Sequence, residues 1–504
     1  MSRRGEVRPR PKSSQPVIPN GVAGGSLLPL SPSDAHKIHQ AALDVLAQTG
    51  MGDVPPVVLD ALEPFSLELD ETGRLKFPRA LVEDTIARAR RDVVLWGHPS
   101  TKDESQRQRL DLSGTKVHVG SGGAAPMIID HLSGQYRPST LSDLFDAARI
   151  VDALEHMHFF CRSMVANDIS DPLAFDLNTA YACLKGTAKH VVVQAGSEQS
   201  ILRIADMVTA LAGSAEAFRE QPFLSLNVNH VVPPLRFHRE SCEVVAAAAR
   251  LGIPISLNSF DQVGASAPAA LAGAVVQSVA ETLAGLVFAH AVNPACAALF
   301  GPRPMITDLR SGAMTVGSGE QAIATAAAVQ IGRFYDLPTS CIAGASDSKE
   351  SDVQSGYEKA LTVTLAAHAG CNFITQAGGM QAALMGVSLE SYVTDNEMLG
   401  AVLRSVRGIE VDDNSLSVTE IDQIVHGDGH FLGSAATLER MNSEFLYPVL
   451  ADRQSPEEWE NGGRQGMAFN ARKRLEALLQ RQTPGHMSSV IEQQLLERFG
   501  LELL

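Results

Sequence analysis

Three things are scarce in this chain. Basic charge is the first: 41 Lys and Arg stand against 57 Asp and Glu, a formal net charge of −16. Holding a phosphate backbone needs clustered Lys and Arg, so a nucleic-acid role is excluded. The acidity suits a soluble protein, a cationic small molecule or a basic patch on a partner. Cysteine is the second. Cys161, Cys183, Cys242, Cys296, Cys341 and Cys371 include no C-x-x-C pair, and their gaps do not form a zinc set. Their apolar neighbours predict buried free thiols in a reducing cytoplasm. The third is a long apolar run. The longest uncharged stretch, between Asp261 and Glu281, contains Gln262, Gly264, Ser266, Pro268, Gln277 and Ser278. It predicts a packed Ala-rich helix and no membrane span.

Several motifs are missing too. There is no phosphate-binding Walker loop and no G-x-S-x-G elbow. Gly120-Ser121-Gly122-Gly123 lacks the rest of a dinucleotide fingerprint and reads as a tight hairpin. His426-Gly427-Asp428-Gly429-His430 has metal-ligand residue types, but its glycines read as a loop, so no metal is expected. Arg3-Arg4 opens the chain without a following apolar segment, which predicts a disordered tail over residues 1–30 and no secretion signal.

What is present is a rhythm. Residues 31–114 read as a mixed lead-in, with Ser31 capping a helix over Ala35–Gln48 and a second helix over Leu81–Arg90. Eight short apolar runs then alternate with helical patterns: Lys116–Gly120, Phe159–Met164, His190–Ala195, Phe223–Asn227, Pro254–Asn258, Cys296–Phe300, Ser340–Gly344 and Asn372–Gln376. Apolar residues on both sides of the pleat imply strands covered on both faces, hence βαβ units and a parallel sheet. Eight such units predict an α/β fold, a (β/α)8 TIM barrel over residues 115–410. Thr140 with Asp143 forms a capping box, and Val353, Tyr357, Leu361 and Leu365 are spaced i, i+4 with Gly370 as the stop. Residues 411–504 read as a C-terminal helical extension packed on the barrel.

Barrel enzymes carry their reacting groups where strands end in the following loops. That rule nominates Gln194, Asn229, Asn258 and Gln376 as neutral hydrogen-bonding groups. It nominates Phe260, Phe300 and Tyr357 as aromatic walls for a cation, and Asp347 or Asp261 as an acid to pair with it or to cap the next helix. No catalytic acid or base stands out.

Together, four stretches resemble the trimethylamine methyltransferase superfamily. They are Met305–Met314 with Gly317–Glu320, Ser346–Lys349 with Asp352–Glu358, Asp395-Asn396-Glu397, and Gly429–Gly433. The resemblance implies a (β/α)8 fold and transfer of a methyl group from an amine to the Co(I) of a corrinoid protein. It thus implies a partner-borne corrinoid (cobalamin) and no tightly bound cofactor. Thr339–Ala345 offers no unusual residue, which places the chain in the branch without pyrrolysine, the glycine betaine methyltransferase-like one that uses quaternary amines. Such an amine already carries the charge that makes it a leaving group. One departure stands out: Ser434-Ala435-Ala436-Thr437 lacks the histidine that relatives place before the threonine. Two alternatives keep the barrel: a folate or other acceptor, or a betaine-binding protein without turnover. A homo-oligomer is the expected assembly.

Overall fold

The computed structural model describes residues 21–99, 107–427, 429–481 and 485–502. Residues 1–20 of the expected tail and Asp428 of the His426–His430 loop lie outside the described residues.

The chain folds as a mixed α/β protein whose eight predicted runs are eight parallel strands. They are β1 (Lys116–Val119), β2 (Phe159–Cys161), β3 (His190–Val193), β4 (Leu224–Asn229), β5 (Ile255–Asn258), β6 (Ala298–Gly301), β7 (Ser340–Ile342) and β8 (Phe373–Thr375). A helix follows each: α1 (Leu141–Asp152), α2 (Pro172–Gly186), α3 (Glu198–Ala212), α4 (Arg239–Leu251), α5 (Leu271–Val292), α6 (Gly319–Phe334), α7 (Val353–His368) and α8 (Leu389–Arg407). Thr140 and Asp143 close the capping box of α1 as their spacing predicts. Helix α5 is long and apolar enough to cross a membrane, but most of it is buried inside the fold.

The strands form two parallel sheets, not one continuous ladder. One runs β6-β5-β4-β3-β2, the other β7-β8-β1. Isolated parallel bridges join them at both seams, Gly120 to Phe159 and Ala125 to Met164 at one and Phe300 to Thr339 at the other. The first seam is short for a visible reason. Val22–Ala23 pairs antiparallel with Val117 and Lys116 and so takes up the start of β1. Residues 21–30 therefore do not belong to the expected disordered tail, and Val22 is buried. At the bridge itself, a Cβ on Gly120 would sit 2.4 Å from a Phe159 ring carbon and 2.5 Å from its carbonyl oxygen. Gly120→Ala should cost about 1–3 kcal/mol of stability by urea denaturation, whereas an unchanged midpoint would mean that the seam is slack.

A second apolar cluster spans both sheets. It joins Phe159, Cys161, Val192, Leu299 and Phe373 to Leu95 and Leu110. Phe159 and Phe373 stack with ring centroids 3.8 Å apart. Leu95 and Leu110 belong to an antiparallel hairpin, Val94–Trp96 with Arg109–Asp111. Trp96 N donates to Pro222 O, just before β4, and His98 N to Ala188 O, just before β3. The hairpin thus covers the end where the strands begin.

One helix departs from expectation, and the C-terminal region is unevenly buried. In α7, Val353 and Tyr357 face outward, 86% and 59% exposed, while Ser355, Glu358, Lys359 and Thr362 are buried. The apolar stripe is the outer face because the inner one holds a polar network. In the C-terminal region, Met467–Leu479 and Ser489–Phe499 bury Ala471, Leu475, Leu495 and Phe499. The helices at Val418–His426, Ala435–Arg440 and Pro456–Asn461 bury no residue.

Candidate functional site

A cavity of about 400 Å³ lies where the eight strands end. Every strand contributes to it. Ala124 comes after β1, Arg162 follows β2, Gln194 follows β3, and Asn227 and Asn229 end β4. Phe260, Arg303 and Gln376 follow β5, β6 and β8, and Ile342 closes β7.

A buried polar network sets the floor. Asn258 is wholly buried and donates from Nδ2 to Asn227 Oδ1 at 2.8 Å and to Val228 O at 3.1 Å. Its own Oδ1 accepts from Ser256 Oγ at 3.0 Å, and Ser256 and Ser340 share a 2.6 Å hydroxyl contact. Asn227 Oδ1 also accepts from Arg303 Nη2 at 2.8 Å. Gly301 makes the network possible, since a Cβ there would lie 2.3 Å from Asn258 Oδ1 and 2.5 Å from Ser340 Oγ. The amide and hydroxyl bonds of this floor hold Asn227 in one geometry, because a stranded buried partner would be costly.

The two guanidiniums differ in their surroundings. Burial pushes Arg303 down to about 10, so it stays charged at neutral pH, with neutral Asn227 as its hydrogen-bonding side chain. Arg162 lies over the Phe175 ring at 5.3 Å, and the Asp176 carboxylate partly offsets the loss of solvent. That carboxylate is engaged by Gly196 N at 2.8 Å. Between them, Cys161 is pushed up to about 12 by burial and is a neutral thiol. All six cysteines are buried and unpaired, as their neighbours predict.

Gln376 has a positive φ of +65° and is 5% exposed. A non-glycine residue in that region costs energy and persists where the surroundings impose it. The strain accompanies a buried Gln376 Oε1 with no hydrogen-bond partner among the described residues, and Gln194 Oε1 is in the same state. Nearby Ala382, Ala383 and Leu384 all have positive φ, and Leu384 lines the cavity.

Of the residues nominated from sequence, the cavity brings together Gln194, Asn229, Phe260 and Gln376. Asn258 sits one layer below, holding Asn227. Phe300, Tyr357 and Asp347 lie elsewhere. Phe300 is 1% exposed and meets Tyr335 edge-on at 5.7 Å, in the layer between β6 and α6. Successive strand side chains point to opposite faces, and here Leu299 takes the inner position. Tyr357 is on the outer face of α7. Asp347 accepts hydrogen bonds from Thr315 Oγ1 and from Val316 N, the latter at 2.9 Å, and so ties down a neighbouring loop. Sequence reasoning places Asn227 among the strand-end amides but misses the two arginines, Arg162 and Arg303, that join it in the cavity. Apolar Met164 and Val165 made β2 look longer than it is, which hid Arg162 inside the strand.

Asp261, beside Phe260, does not reach the cavity either. It is wholly buried with Glu281, and Gln277 Nε2 lies 3.3 Å from an oxygen of each. Burial raises both carboxyl pKa values, and the Asp261 charge raises Glu281 further. An acid whose pKa rises on folding favours the fold most at low pH. That advantage fades as pH climbs from the ordinary carboxylate range through the raised value. Glu281→Gln keeps the acceptor that Leu235 N uses at 2.6 Å. Its melting temperature relative to wild type should therefore grow as pH rises above the ordinary carboxylate range. A difference that stays constant with pH would show that the pair does not titrate there.

A cavity at the carboxyl ends of parallel strands, floored by ordered amides, defines a small-molecule-binding site of the α/β class. The chain belongs to the trimethylamine methyltransferase (MTTB) family, which it matches over residues 2–499. The trimethylamine methyltransferase MttB of Methanosarcina barkeri is 30% identical over 464 residues, 91% of this chain and 92% of its own length. The glycine betaine methyltransferase of Desulfitobacterium hafniense is 28% identical over 443 residues, 86% of this chain and 90% of its own. The solved Methanosarcina barkeri monomethylamine methyltransferase (MtmB) is similar over 88% of this chain and 98% of its own, at 14% identity and a TM-score of 0.48.

Proposed function

We propose that this chain takes a methyl group from a quaternary amine of betaine type and delivers it to the Co(I) of a corrinoid held by a partner protein. The eight strand–helix units act as one (β/α)8 barrel, a reading supported by the isolated parallel bridges at both seams. One observation supports the reading most: among the described residues, those lining the cavity include no Asp, Glu, His, Lys or Cys. A reaction sited there has no general acid or base to call on. Demethylation of a quaternary nitrogen needs none, because the C–N electron pair returns to nitrogen and leaves a neutral tertiary amine. The residues present serve positioning and exclusion of water. A protonated tertiary amine would first have to lose a proton, for which the lining offers no base.

The corrinoid is a second substrate, and a bound one supplies a cobalt nucleophile. The described residues favour its approach from the end where the strands finish. The Val94–Trp96 hairpin covers the end where the strands begin, and Asn229 is exposed at the other, on the cavity rim. The test is incubation of the purified protein with chemically reduced cobalamin and a panel of quaternary amines, following the visible spectrum and the tertiary amine released. Stoichiometric demethylation of at least one betaine is expected. Binding without demethylation of any of them favours the binding-protein alternative and refutes the enzyme reading.

A further inference from the structure

Arg162 and Arg303 follow β2 and β6, the two edge strands of the five-stranded sheet, yet both line the same cavity. They are 8% and 3% exposed. Burying a cation without a counter-ion is expensive, so such groups are normally paired. Among the described residues neither guanidinium forms a salt bridge, and the Nε of each has no hydrogen-bond partner. The side chain that Arg303 does bond is a neutral amide, Asn227, fixed from behind by Asn258. Asn227 aims the guanidinium without neutralising it. Among the described residues, those lining the cavity carry two positive charges and no negative one; the acid acting on Arg162, Asp176, is not part of the lining and is engaged by Gly196 N.

That charge balance conflicts with a substrate that is only a cation. A bare alkylammonium would meet two like charges in a poorly screened space. It accords with a molecule that brings its own anion. We infer that Arg162 and Arg303 form a receptor for a carboxylate on the substrate, so that the enzyme takes zwitterions carrying a carboxylate and rejects methylated amines that lack one. This rests on the methyl-transfer reading for its context, but it concerns binding and can be tested separately. Guanidinium groups suit the task because their planar donors match the two oxygens of a carboxylate. With the carboxylate drawn to the arginines, the methylated nitrogen falls to the remaining wall, where Phe260, Ile342, Val228 and Leu384 supply aromatic and apolar surface.

The experiment is isothermal titration of the full-length protein with trimethylammonium carboxylates having one, two or three carbons between nitrogen and carboxylate. Each is paired with its methyl ester, and tetramethylammonium is added. At fixed ionic strength, at least one carboxylate should bind about 10- to 100-fold more tightly than its ester, the range expected for hydrogen bonds to a charged group. Arg303→Gln and Arg162→Gln should each bring acid and ester together, and Arg303→Lys should keep part of the preference. The wild-type comparison needs no variant to fold, and melting curves qualify the variants. If no carboxylate outbinds its ester, or tetramethylammonium binds as tightly, the inference is overturned. If tetramethylammonium is demethylated as fast as the carboxylates, the receptor falls while methyl transfer stands. If a carboxylate is preferred but never demethylated, the receptor stands and the methyl-transfer reading falls.

Discussion

Lys359→Met should cost about 3–5 kcal/mol of unfolding free energy, the usual result of breaking a buried ion pair from one side. Lys359 on α7 is 1% exposed, and its Nζ lies 2.8 Å from Asp395 Oδ2 on α8. The same carboxylate oxygen accepts from Gly379 N at 2.8 Å, in the loop after β8. One pair therefore joins two helices to the strand end that carries Gln376. Burial pushes the Asp395 carboxyl up while the Lys359 charge opposes it, so removal of the ammonium leaves an acid in a site that disfavours its charge. The double variant Lys359→Met/Asp395→Leu removes both charges and should recover most of the loss. Urea denaturation of the two single variants and the double variant measures this. A cost below about 1 kcal/mol for Lys359→Met, as for an exposed pair, would mean that water reaches the site.

Phe300→Ala should also cost about 3–5 kcal/mol, with ligand affinity essentially unchanged. The ring fills the space between β6 and α6, where a Cβ on Gly332 would already sit 3.1 Å from it. Phe260→Ala should behave in the opposite way. It removes a half-buried cavity wall, weakens binding of a trimethylammonium ligand by about 1–2 kcal/mol and has a smaller effect on stability. Denaturation midpoints and titration calorimetry on the two variants separate these roles. A folded Phe300→Ala protein that loses ligand affinity as Phe260→Ala does would place the ring in the cavity after all.

That contrast shows where sequence reasoning reached its limit. The eight strands were legible because each is buried on both faces and reads as a short apolar run bounded by helical patterns. The face to which a given side chain points was not, since one residue of register exchanges Leu299 for Phe300. Helix α7 misled for a different reason. Its apolar stripe is real, but the helix turns Glu358 and Lys359 inward, because Glu358 accepts from Ser346 Oγ at 2.7 Å and from Asp347 N at 2.8 Å.

Three of the stretches that carry the family resemblance contribute supporting contacts. Gly317 must lack a Cβ because Glu358 Cδ would lie 2.4 Å from it. Asn396 Oδ1 accepts from His156 N at 2.9 Å, and Glu397 Oε1 from Val449 N at 2.8 Å. These contacts hold loops and helices behind the cavity. The groups inside it, Arg162, Asn227 and Arg303 above all, come from outside the motifs and emerge only when eight separated strand ends meet.

The central claim is that methyl transfer takes place in this cavity. It is tested most directly by comparing wild type with Ala195→Trp, which places a large ring into the cavity from the loop after β3. Both proteins are incubated with reduced cobalamin and a methyl-13C-labelled trimethylammonium carboxylate, and the demethylated amine is quantified by NMR. The wild type is predicted to release it, and the plugged variant, with an unchanged melting temperature, to release almost none. Equal release from the two proteins, or none from the wild type with any such substrate, would contradict the claim.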